Sequence, residues 1–153
     1  MKPSDSTRTL RLAHTGISNQ EEAILSTIVS GQNITLHKAN SDLDLWKKTF
    51  HEQFDVYLIG QNSQLKKPSH LVWFLQDMVS PLKVITLYSK LEKDEACRLL
   101  EYQVPYVLMR PLEQPQFLPV IQTIRQQPVR TKRRDRAGSW VYFFQELFVD
   151  CHQ

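Results

Sequence analysis

The chain has 153 residues with 19 basic and 16 acidic side chains, a net charge of +3 that is too small to argue for a nucleic-acid partner by itself. With 41% apolar and 10% aromatic residues it has the composition of a globular protein, and its length suits one domain with a real core rather than two. No run approaches the ~20 apolar residues of a membrane span, and residues Met1 to Arg8 lack the basic-then-apolar order of a signal peptide, so no membrane association and a cytoplasmic location are expected.

Short apolar, partly β-branched runs at residues 9–14, 33–38, 55–59, 83–88 and 105–109 read as strands. Amphipathic segments of helical length separate them. Ser18 and Glu21 form a capping-box pair, so the first helix starts there, buries Ile24, Leu25 and Ile28, and stops at Gly31. Ser41 with Asp44 opens a second helix, expected to bury Leu45, Trp46 and Phe50. Pro68 and Ser69 open a third, with Leu71, Val72, Leu75 and Met78 inward, and Pro81 stops it from running into the next strand. A fourth helix, at about residues 92–102, turns Ala96, Leu99 and Leu100 inward, and a fifth, after Pro115, offers Phe117, Leu118, Ile121 and Ile124.

Strand and helix alternating five times is the pattern of a parallel sheet covered on both faces, an α/β doubly wound five-stranded parallel sheet. Its functional crevice lies at the carboxyl ends of the strands. Those ends are His14-Thr15-Gly16, Gly60-Gln61-Asn62, Tyr88-Ser89-Lys90 and Met109-Arg110-Pro111.

After the fifth helix the chain changes character. Residues 128–136 hold five basic side chains in nine positions, among them Arg130, Arg133, Arg134 and Arg136, in a linker taken as 128–139. Residues 140–153 read as an extra apolar C-terminal helix, with Trp140, Phe143, Phe144 and Leu147 at i, i+3, i+4 and i+7 and Phe148 widening the stripe. A solvated linker is one reading of the arginines. The other is an anion site, because guanidinium groups both chelate phosphates and stack on bases. The apolar helix must pack on the domain, on a second copy or on a protein partner. Cys97 and Cys151 fit no metal-ligand spacing and are expected to be reduced thiols.

The order and spacing of these segments over residues 8–127 resemble the CheY-like receiver domain of bacterial response regulators. The run from Gln103 through Met109-Arg110-Pro111 to Leu112 is similar to that family's final strand and Lys-Pro turn, Phe54 to Gly60 to its third strand, and Lys83 to Ser89 to its fourth. The resemblance implies a (βα)5 receiver-like domain over residues 1–127. It also implies what a working receiver needs: an acceptor aspartate after the third strand, two acids after the first to hold Mg²⁺, a hydroxyl after the fourth and a lysine after the fifth.

On this chain those positions fall on Gly60, on His14 and Thr15, on Tyr88 and on Arg110. Only the positive charge is kept, and His, Thr and Gly give magnesium no anionic oxygen. Phosphorylation by the family mechanism is therefore expected to be absent, with no metal and no cofactor. Asp55 is no substitute, since it starts its strand about 16 Å from the crevice by strand rise. Tyr106 is similar to the family's switch aromatic, although the register puts Val107 there. Gly60 reads as a tight turn or a close approach, His14 as a satisfied, partly buried histidine rather than a ligand or pH switch, and Arg110 as a donor to loop carbonyls or to an anion.

The expected function is a non-enzymatic, phosphorylation-independent signalling and protein-interaction module, with a partner or a second copy meeting Trp140, Phe143, Phe144, Leu147 and Phe148. The alternative is a module sensing cyclic di-GMP or another nucleotide through Arg110 or through Arg130, Arg133, Arg134 and Arg136. Nucleic-acid binding ranks below both, because no recognition helix with interleaved basic residues is visible. No nucleophile, base and orienting acid fall together, and the four glycines form no phosphate-cradling loop, so no enzyme is expected.

Overall fold

The structure, a computed structural model, describes residues 8–62 and 67–127. Five strands, β1 (Leu10–Thr15), β2 (Ile34–Lys38), β3 (Val56–Gly60), β4 (Val84–Tyr88) and β5 (Tyr106–Met109), alternate with five helices. The helices are α1 (Asn19–Val29), α2 (Asp42–His51), α3 (Pro68–Leu75), α4 (Lys93–Glu101) and α5 (Gln114–Arg125). The sheet is parallel throughout and its order is β2-β1-β3-β4-β5. The order reverses between β1 and β3, and the crevice of such a sheet opens at the carboxyl side of that point.

Strand alternation divides the core in two. Leu10, Leu12, Val56, Leu58, Ile85 and Leu87 point to the face covered by Leu25 and Ile28 of α1 and by Phe117 and Ile121 of α5. Ala13, Tyr57, Ile59, Val84 and Tyr88 point to the other face, under Leu45 of α2, Leu71 and Leu75 of α3 and Leu99 of α4. Both faces of the three inner strands are buried, which is why these strands read as unbroken apolar runs.

Ser18 caps α1 in the expected box: its hydroxyl accepts from the Glu21 amide at 3.1 Å, and the Glu21 carboxylate accepts from the Ser18 amide at 3.0 Å. Ser41 caps α2 through the Asp44 amide at 3.0 Å. Two inward assignments do not hold. Ile24 is 37% exposed, since the buried stripe of α1 runs through Leu25, Ile28 and Val29 and leaves Ile24 at its edge. Phe50 is 65% exposed, because five helical residues carry it about 140° around the axis from the buried Leu45.

Cys97 on α4 is disulfide-bonded, which corrects the expectation of a reduced thiol there; separation along the sequence sets no bound on separation in space. Cys151 lies outside the described residues. The end of α5 is tied to the start of the fold by Arg125, which donates to the carbonyls of Arg8 at 2.7 Å and Gln32 at 3.1 Å. No helix among the described residues is long and apolar enough to cross a membrane.

Candidate functional site

The loops that follow β1, β3, β4 and β5 meet at the carboxyl edge of the sheet, and two glycines set how closely they meet. Gly16 has φ +79°, a left-handed conformation that glycine adopts without cost. A Cβ added to Gly16 would lie 2.2 Å from the Gly60 carbonyl oxygen, and one added to Gly60 would lie 2.5 Å from the Gly16 carbonyl oxygen. The same Cβ on Gly60 would stand 2.9 Å from Ile17 Cγ2 and 3.0 Å from Arg110 Nη2. Gly60 therefore permits a close approach of backbone to backbone. The β1–α1 loop lies against the end of β3, in the space a side chain at position 60 would take.

Arg110 fills what remains. Its Nε donates to Glu21 Oε2 at 2.5 Å and its Nη2 to Glu21 Oε1 at 3.2 Å, a forked ion pair between the β5–α5 loop and α1. Nη2 also donates to the Gly16 carbonyl at 3.2 Å, and Nη1 to the Gln61 carbonyl and to Ser89 Oγ, both at 2.9 Å. A guanidinium has five N–H groups, and five acceptors of the protein are arranged around this one. Of the two roles open to Arg110, donor to loop carbonyls or donor to an anion, the contacts combine both within the chain, with two loop carbonyls, the Ser89 hydroxyl and the Glu21 carboxylate as acceptors. The Arg110–Pro111 peptide is cis.

Glu21 is thus shared between a helix cap and a crevice. Burial raises its pKa, and the Arg110 and Ser18 hydrogen bonds with the Arg110 charge more than reverse that, leaving it below its ordinary 4.5. Gln61 adds a second brace: its Oε1 accepts from the amides of Ser89 at 2.9 Å and Lys90 at 3.1 Å, while its Nε2 donates to the Lys90 carbonyl at 3.1 Å. Sequence reasoning placed Gln61 at the crevice without a role and missed Glu21 as a crevice residue. The signal for Gln61 was its position next to Gly60.

Other residues expected at the crevice are turned away from it. His14 and Thr15 are each 4% exposed, and alternation along β1 sends them to opposite faces of the sheet. His14 Nδ1 is buried without a hydrogen-bond partner. Burial lowers the His14 pKa from 6.5, opposed by Glu22 and reinforced by Lys38 and His37. Tyr88 is fully buried on the α2–α4 face. Its hydroxyl donates to Glu95 Oε2 at 2.6 Å, so the hydroxyl that reaches Arg110 is that of Ser89, one residue further along. Glu95, 2% exposed in the first turn of α4, also accepts from the Ser69 hydroxyl at 2.6 Å and the Ser69 amide at 2.9 Å at the start of α3. Burial and the Glu95 carboxylate drive the Tyr88 pKa far above its ordinary value.

Asp55 accepts from the Arg11 amide at 2.8 Å and from Arg8 Nη1 at 3.1 Å, just before the amino end of β3. Tyr106 is half-buried on the α1–α5 face and its hydroxyl accepts from Gln127 Nε2 at 3.3 Å, whereas Val107 packs against the opposite core. Arg130, Arg133, Arg134, Arg136, Trp140, Phe143, Phe144, Leu147 and Phe148 lie outside the described residues.

Among the described residues no group of three His, Cys, Asp or Glu side chains could hold a metal ion. The crevice does not fit magnesium. His14, Thr15 and Gly60 bring no carboxylate, and both oxygens of Glu21 are engaged by Arg110.

The fold is that of response-regulator receiver domains. A response regulator from Thermotoga maritima superposes with a TM-score of 0.67 at 12% identity, over 78% of this chain and 99% of that one. A CheY-like receiver domain protein from Methanospirillum hungatei JF-1 gives 0.69 at 13% identity, over 76% and 94%. A CheY-like receiver domain from Methylobacillus flagellatus gives 0.61 at 18% identity, over 76% and 98%. No protein-family model and no curated protein matches the sequence.

Proposed function

We propose that this chain is a receiver-fold signalling module that works without phosphotransfer, through protein contact. The observation that carries the reading is the Arg110 guanidinium, which sits 3.0 Å from where a Gly60 side chain would begin and is bonded to Glu21, Gly16, Gln61 and Ser89. In a receiver this space takes an acceptor carboxylate, a metal and an incoming phosphoryl group. Here a cation of the chain itself joins the surrounding loops, and the nearby acid, Glu21, is its counter-ion.

Two further features support the same reading. The Tyr88 hydroxyl is bonded to Glu95 on the far side of β4, away from the crevice. Asp55 lies at the opposite end of the sheet and is bonded to Arg8 and Arg11. The module therefore acts as a scaffold of fixed shape, with residues Trp140, Phe143, Phe144, Leu147 and Phe148 as its contact surface for a partner protein or a second copy. The nucleotide-sensing alternative now falls on Arg130, Arg133, Arg134 and Arg136 alone, since the donors of Arg110 already have acceptors.

Incubation with acetyl phosphate and Mg²⁺ under conditions that modify an ordinary receiver tests the proposal. Intact mass is expected to stay unchanged, and a stable adduct on an aspartate overturns it.

A further inference from the structure

Helices α2 and α3 carry large apolar side chains that no element among the described residues covers. Leu43 is 54% exposed, Trp73 54%, Phe74 47% and Phe50 65%. The rings form one surface: Trp46 stacks on Phe50 with centroids 5.1 Å apart and inclines towards Phe74 at 5.9 Å. Beside them is a groove of about 530 Å³, bounded by Asp42, Leu43, His70, Trp73, Phe74 and Tyr102. Trp46 and Tyr102 are partly buried against the core under α2, α3 and α4, while Leu43, Phe50, Trp73 and Phe74 face outward from it. A contiguous patch of this kind marks a docking site.

We infer that the groove is the seat of residues 140–151 of the same chain. The other stretches outside the described residues, 1–7, 63–66 and 128–139, are mostly polar, whereas 140–151 carries Trp140, Phe143, Phe144 and Leu147 at helical spacing. Its length fits: twelve residues of helix span about 18 Å, against about 15 Å for the ten residues of α2. Its tether fits as well. Twelve linker residues, 128–139, reach up to about 40 Å, while a domain of this size has a radius of gyration of about 14 Å. A tether so short holds the segment at an effective concentration in the millimolar range, which favours the same chain over a second copy. Cys97 on α4, the helix whose C-cap Tyr102 bounds the groove, is disulfide-bonded, and the sequence has one other cysteine, Cys151, at the end of this segment.

The inference rests on the protein-contact reading in one respect only: a partner that binds residues 140–151 has to lift them from the α2–α3 groove first. The free chain then keeps its contact segment covered, and partner binding exposes two aromatic surfaces together.

Hydrogen exchange by mass spectrometry on the full chain, under reducing conditions and at two concentrations a hundredfold apart, tests it. Amides in 140–151 are expected to exchange at least tenfold slower than unstructured ones, equally at both concentrations. The protection is expected to vanish in Phe50→Glu/Trp73→Glu, where both changes fall on exposed positions, and in the reciprocal Trp140→Glu, which leaves 8–127 untouched. Three results overturn it: no protection, protection that persists in all these variants, or protection that disappears on dilution together with a doubled mass, which makes the occupant a second copy. None of these bears on the acetyl phosphate result, so the two proposals fail separately.

Discussion

Arg110 and Glu21, 89 residues apart in sequence, are joined by two hydrogen bonds, Nε to Oε2 at 2.5 Å and Nη2 to Oε1 at 3.2 Å, with their side chains 18% and 14% exposed. The pair closes the carboxyl end of the sheet, and removing one partner leaves the other charged and largely out of water. Arg110→Ala is expected to cost about 3 kcal/mol of stability, and Arg110→Lys a smaller part of that, because an ammonium keeps the charge and loses the fork. Urea unfolding midpoints check both. Equal midpoints for wild type and Arg110→Ala would contradict a bracing role.

An aspartate placed at position 60 is not expected to act as a phosphoacceptor. In Gly60→Asp the new Cβ starts 2.5 Å from the Gly16 carbonyl, so the β1–α1 loop has to move. The expected cost is about 1–3 kcal/mol, in the range of overpacked sites. No mass gain with acetyl phosphate is expected, since His14 and Thr15 bring no carboxylate for magnesium and both oxygens of Glu21 are engaged by Arg110.

The Tyr88–Glu95–Ser69 cluster ties β4 to α4 and α3. Tyr88→Phe removes one donor from a buried carboxyl, and Glu95→Leu strands two hydroxyl groups and an amide; about 1–3 kcal/mol is expected for each. A double-mutant cycle is expected to be strongly non-additive, since the two share one hydrogen bond. Additive losses would refute the coupling.

Acid is expected to weaken the fold in two stages. The folded-state pKa of His14 lies below 6.5, so the folded chain binds this proton less readily than the unfolded chain, and stability falls as pH drops from 6.5 to the folded value. The folded-state pKa of Glu21 lies below 4.5, and its contribution, complete above 4.5, is lost as pH falls through that lower value. Unfolding midpoints between pH 8 and pH 3 measure the sum. His14→Gln is expected to flatten the upper stage and Glu21→Gln the lower; unchanged profiles would remove these assignments.

Much of the sheet was legible because buried parallel strands are apolar on both faces, and the runs ending at His14, Ile59 and Tyr88 carry that mark, while the edge runs ending at Lys38 and Met109 are only partly buried. Ser18 and Glu21 were legible as a cap because a cap is local. The second role of Glu21 was not, because its partner comes from a turn 89 residues away. Gly60 drew notice as an absence, yet its physical reason is Gly16, and the pairing of the two glycines exists only once β1 and β3 are neighbours. Glu95 looked like an ordinary acid in the first turn of a helix. Its burial depends on Tyr88 and Ser69, which arrive from two other elements. Phe50 fitted an amphipathic stripe whose true centre, Leu45, is fixed by packing rather than by spacing.

Arg125 holds Arg8 and Gln32 by their carbonyls, so the start of β1, the turn before β2 and the last turn of α5 form one junction at the edge opposite the crevice. Gln127 adds to this junction by donating to the Leu82 carbonyl at 3.1 Å and the Tyr106 hydroxyl at 3.3 Å, so a pull applied at residue 127 loads these contacts and the two of Arg125 together. Tension on the following segment is thereby shared among side-chain contacts from the end of α5 to the starts of β1 and β5 and to the turns before β2 and β4.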